Sequence, residues 1–97
     1  MKSLTSALLL LLAVAIPAPA AGPQETTYFP VPQGAHPHDV AATPQARGPV
    51  YYTAQATGRL GILDPANGKV VEVPLGDGSA PHGVVVGPDG APWTFSG

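Results

Sequence analysis

The sequence predicts an all-β chain made of repeated four-stranded antiparallel sheets behind a short apolar leader. Three observations predict it. Short apolar runs alternate with turn residues at intervals of about ten, the spacing of consecutive hairpin strands. The same phrases return at offsets of 42, 44, 44 and 41 residues. No window past residue 22 is long enough for a helix without meeting Gly or Pro. Gly and Pro make up 25 of the 97 residues, a share that would read as disorder without periodicity, so the repeat decides the class.

The elements follow in chain order. Met1-Lys2-Ser3 gives a short positive start and Ala7 to Ile16 an unbroken apolar run, closed by Pro17 and Pro19. A run of about ten such residues is half the length a membrane-crossing helix requires. With the small-residue series Ala18-Pro19-Ala20 it reads as a signal peptide over residues 1–20, cut after Ala20 in preference to Ala21. The expected product is exported, periplasmic or extracellular, and free of the membrane once processed. Residues 21–27 form a linker, and residues 28–97 the β-rich part. Strands are expected at 38–42, 50–54, 60–63 and 70–74. The last connection, Asp64-Pro65-Ala66-Asn67-Gly68, has a Pro-set turn start and an Asn-Gly pair suited to positive φ. A second unit opens at Ala80, with strands at 82–86 and 92–95 joined by Gly87-Pro88-Asp89-Gly90.

The offsets come from laying Val31-Pro32 on Val73-Pro74, Pro37-His38 on Pro81-His82, Pro44 on Pro88, and Tyr52-Thr53 on Trp93-Thr94. A period near 42 suits four-stranded β-propeller blades and also two-helix repeats of the HEAT or armadillo type. The density of Gly and Pro sets the helical repeat aside. The chain is therefore read as an incomplete propeller, one full blade and the start of a second. A blade needs neighbours to cover its faces and a ring needs about four to eight blades. Remaining blades are thus expected as partners, in a longer reading frame or by assembly with other chains. Tyr52 and Trp93, in second strands, are expected in the core between blades, with Tyr51 and Phe95.

Charge and composition exclude several classes. The formal net charge is −2, and near −3 once Lys2 leaves with the leader, with no basic stripe, so a nucleic-acid partner is not expected. No cysteine is present, which removes disulfide scaffolds, thiolate metal sites and a lipoprotein anchor together.

Phe29-Pro30-Val31-Pro32, Ala35-His36-Pro37-His38-Asp39-Val40-Ala41, Tyr52-Thr53-Ala54-Gln55 and Gly58-Arg59-Leu60-Gly61 resemble the opening blade of streptogramin (virginiamycin B) lyase-like propellers. The second unit resembles the phrase that family repeats, in Val73-Pro74-Leu75, Ala80-Pro81-His82-Gly83-Val84, Gly87-Pro88-Asp89-Gly90 and Trp93-Thr94. The resemblance covers residues 28–97. It implies a seven-bladed propeller and a magnesium-dependent carbon–oxygen lyase that opens a cyclic peptide lactone by elimination, without water as reactant. It also implies that the catalytic histidines and metal-holding glutamates belong to later blades, so no catalytic residue is assigned in this chain. His38 and His82 fall at the repeat position of the family's functional histidines and are the channel-facing candidates.

The residues themselves offer limited chemistry. Elimination needs a base beside a carbonyl and a stabiliser for the charge that develops on oxygen, roles suited to histidine and to a divalent cation. His36 and His38, two apart in an extended stretch, would share one side and are the weak metal candidates, although capping of an inner strand is the preferred reading. Gly83 clears bulk beside His82. Asp64, Asn67, Gly68, Asp89 and Gly90 are read as turn residues rather than ligands, and Glu72, between Val71 and Val73, as solvent-facing. The competing function is a non-catalytic exported propeller that binds a ligand or protein across its channel. A calcium-dependent sugar-lactonase reading lacks acidic ligands in these residues. The sequence leaves the substrate and the number of blades open.

Overall fold

The computed structural model describes residues 24–96, so the leader expected at residues 1–20, the start of the linker and Gly97 lie outside the described residues. The described chain is all-β, with antiparallel strands in two sheets. Strands β1 (Pro37–Ala42), β2 (Val50–Ala54), β3 (Arg59–Leu63) and β4 (Val70–Pro74) form one sheet in sequential order. Strands β5 (Pro81–Val86) and β6 (Pro92–Ser96) form the other. The expected strands differ from these by at most one residue at an end. A single 3-10 turn, Gln55–Thr57, links β2 to β3 and is closed by Gly58 in the left-handed region.

The central strand β2 is Val-Tyr-Tyr-Thr-Ala, β-branched and aromatic, and four of its five residues are buried. Its register sets two faces. Tyr51, Ile62 and Val71 share one row and Thr53, Leu60 and Val73 the next, on one face. Val40, Tyr52, Gly61 and Glu72 form a row on the other. The second sheet packs on the first face, where Val84 joins Tyr51 and Leu60, with Ala41, Ile62, Leu75 and Val86 around them. The segment before β1 covers the other face, where Ala35 meets Tyr52 and Ala54 beside Val31 and Val70.

Cover is partial on both sheets. Val71 is 61% exposed, because the two short strands of the second sheet reach only the inner part of the first. Trp93 departs from the expected core position: it is 64% exposed, with Val85 and Phe95 also exposed on the same side. Among the described residues, that side of β5 and β6 has nothing packed on it. Glu72 also departs from expectation. Its side chain is only 6% exposed, because its row lies on the face covered by the N-terminal segment, while Val71 and Val73 point to the open side. Glu72 accepts a hydrogen bond from the Tyr52 hydroxyl at 3.0 Å and faces Arg59 at 3.8 Å, so the buried charge has two partners.

The turn residues act as their chemistry suggests. Asp64 accepts the Ala66 N–H, Asn67 the Lys69 N–H and Asp89 the Ala91 N–H, each through a side-chain oxygen. Gly68 (φ 74°) and Gly90 (φ 82°) take the left-handed positions. Asn67 does not. With six connecting residues between Leu63 and Val70, a single left-handed glycine closes the turn, and Asn67 contributes its side chain instead.

Candidate functional site

The two Pro-His pairs stand at corresponding points of the two sheets, and three local features recur at both. The residue before each proline has positive φ: His36 at 47° and Ala80 at 41°. Both are non-glycine residues in a region that L side chains rarely occupy, ahead of a proline that itself disfavours helical backbone. Each pair then starts the first strand of its sheet. Finally, each of these strands carries an irregularity at the histidine. Pro37 pairs with Ala54 and Val40 with Tyr52, so β1 holds one extra residue there. Pro81 pairs with Ser96 and Gly83 with Phe95, so β5 likewise holds one extra. A bulge re-aims a side chain out of the pleat's alternation, and here it does so for His38 and His82.

The result brings together two residues 44 apart. The His38 and His82 rings lie with centroids 4.0 Å apart and planes inclined by 42°. His38 Nδ1 is 3.0 Å from the His82 carbonyl oxygen. A carbonyl only accepts, so Nδ1 carries the proton, and in neutral His38 Nε2 keeps a free lone pair. The same carbonyl accepts the Thr53 hydroxyl at 3.1 Å, and Thr53 Oγ1 in turn accepts the Asp39 N–H at 3.0 Å. Asp39 Oδ2 accepts the Val84 N–H at 3.0 Å. The junction between the sheets therefore consists of side chains of β1 and β2 grasping the backbone of β5. The Val84 N–H, and after it the Val40 N–H, hold the Asp39 carboxyl below its ordinary range; burial opposes them, and the charges of His38 and His82 add smaller downward effects.

Both histidines are exposed, whereas Thr53 is fully buried. A phenyl ring also reaches the site, since Phe95 lies 6.2 Å from His82. The space above Gly83 is filled by that ring, because a Cβ on Gly83 would meet Phe95 Cε1 at 2.6 Å. The glycine thus admits an internal aromatic rather than a free approach to His82. His36 does not share a side with His38 in the way an extended stretch would require, because its φ of 47° turns the chain ahead of Pro37. The partner of His38 is His82, which spacing along the chain does not disclose. Asp39 and Thr53 are the junction residues that sequence reasoning missed. The available signal was the placement of Asp39 and Thr53 in the motifs His38-Asp39 and Tyr52-Thr53, with glycine replacing the aspartate at the equivalent Gly83.

No protein-family model matches the chain and no curated protein matches it. The geometry therefore carries the functional argument.

Magnesium, implied by the family resemblance, prefers six oxygen ligands in near-octahedral array. Among the described residues, no group of three or more His, Cys, Asp or Glu side chains is gathered to hold a metal ion. At the histidine pair the nearby carboxylate, Asp39, is already engaged by the Val84 amide. As nitrogen ligands, His38 and His82 do not fit a magnesium site.

Proposed function

We propose that this chain supplies the opening blades of an exported β-propeller of the streptogramin lyase-like kind, with β1 and β5 lining the channel and His38 and His82 facing the ligand. The observation that carries this reading is the recurrence of one local device, a left-handed residue, a proline and a bulged histidine, at the same end of the inner strand in both sheets. Repeated sheets that present equivalent inner-strand residues side by side are what a propeller channel requires. The uncovered apolar row Val85, Trp93 and Phe95 supports the same reading, since a following blade would bury it. Export through residues 1–20 belongs to this proposal.

In the proposed reaction a base removes a proton from the carbon beside a carbonyl, the neighbouring carbon–oxygen bond breaks, and the ester oxygen leaves as a carboxylate. The charge-stabilising groups for that step would come from other blades, so the residues described here bind and orient. A second reading is favoured by the hydrogen bonds themselves: His38 Nδ1 and Asp39 are committed to the backbone of β5, as they would be in a ligand-binding propeller without catalysis. The test is incubation of the complete protein with a type B streptogramin, magnesium and isotopically labelled water. A linear, unsaturated product without label supports the lyase. A labelled product indicates hydrolysis and overturns it, and saturable binding without turnover selects the binder.

A further inference from the structure

The histidine pair has a geometry that the channel role does not need. We infer that His38 and His82 form a two-imidazole site for a borderline transition-metal cation such as Zn²⁺ or Cu²⁺, at the junction of β1 and β5.

A metal about 2.1 Å beyond a ring nitrogen lies roughly 3.2 Å from that ring's centroid. Centroids 4.0 Å apart would then subtend about 77° at a shared ion, and separation to about 4.5 Å would give the roughly 90° of an octahedral position. The adjustment is about half an ångström, within side-chain freedom for two exposed residues. The 42° inclination matters too. Rings stacked face to face in separate parallel planes cannot direct two in-plane lone pairs at one point; inclined rings can.

The tautomer supplies an independent observation. Metal-binding histidines nearly always donate their second ring N–H to a carbonyl or carboxylate, which fixes the ring and leaves the other nitrogen to ligate. His38 already does this, through Nδ1 to the His82 carbonyl at 3.0 Å. That bond also ties the orientation of one ligand to the backbone of the other, so the pair is set before any ion arrives. Asp39, between the bulge and Val84, places a negative charge alongside. Two imidazoles select Zn²⁺, Cu²⁺ or Ni²⁺ over Mg²⁺ or Ca²⁺, which require oxygen ligands. Water would complete the coordination. The inference needs only the contact of β1 with β5 and stands apart from the lyase-like reading.

The test is a Zn²⁺ titration of the full chain followed by the imidazole C–H resonances of its three histidines. His38 and His82 should shift together and saturate at one equivalent, with His36 unmoved. His38→Asn and His82→Asn should each weaken binding by about tenfold or more, and His36→Asn by less than about twofold. Mg²⁺ at about 1 mM should move no resonance. Joint movement of His36 and His38 without His82 would place the ion along the chain and overturn the inference. So would parallel drift of all three signals, or no shift with Zn²⁺.

Discussion

Tyr52 shows how one side chain settles several others. Its ring lies across Gly61, where an added Cβ would clash with the ring carbons Cε1, Cζ and Cε2, and its hydroxyl reaches Glu72. Gly61→Ala is expected to make local opening of the first sheet easier by about 1–3 kcal/mol, measured by hydrogen exchange at the β2–β3 amides, because the buried ring must shift to admit the methyl group. Burial, and after it the hydrogen bond and charge of Glu72, raise the Tyr52 hydroxyl well above its ordinary value of 10.0. A raised folded-state value means the stabilisation is complete below pH 10 and is lost as pH climbs toward the folded value. Alkaline titration should therefore show a tyrosinate absorbance step that coincides with unfolding, and Tyr52→Phe should abolish that coincidence. The pairing of Tyr52 with Glu72, twenty residues on, was not legible beforehand. Alternation alone placed Glu72 among exposed positions, and only strand register across three strands shows which row is covered.

At the scale of elements, the junction between β1 and β5 rests on Asp39 more than on either histidine. Its carboxylate receives the Val84 amide, and its own amide is held by buried Thr53. Asp39→Asn keeps the shape but replaces a charged acceptor by a neutral one, which is weaker. Faster hydrogen exchange at the Val84 amide, with β2–β3 amides unchanged, is the expected outcome; equal acceleration in both would show that the bond supports the whole sheet rather than the junction. The second sheet has Gly83 where the first has Asp39, and Thr94 donates to Gly83 O within its own sheet at 2.8 Å. The two junction-forming positions are therefore not equivalent, and a further sheet would have to join by other contacts. The strands were legible to within a residue because β-branched and aromatic runs between Gly, Pro, Asn and Asp leave the backbone few choices. The bulges were not, since an extra residue in one strand is defined only by its partner.

Across the whole molecule, covered and uncovered faces coexist. Val71, Val85, Trp93 and Phe95 leave apolar surface in water, and short sheets with open edges tend to associate through them. Residues 21–97 expressed alone should melt over a shallow, non-cooperative transition or aggregate, whereas a cooperative monomer in calorimetry would show that two sheets suffice. Trp93 is the single tryptophan, and its emission should be that of a hydrated indole, quenched by acrylamide; a blue shift in a longer version of the protein would register burial by a following sheet. Composition, turn chemistry and the offsets near 42 were enough to determine an all-β chain of repeated antiparallel strands, because those signals act within a few residues of one another. The meeting of His38 with His82, the capture of the β5 backbone by Asp39 and Thr53, the inward turn of Glu72 and the exposure of Trp93 were decided only by the tertiary structure. Each depends on which sheet lies against which face, a relation between residues distant in the chain that no local pattern encodes.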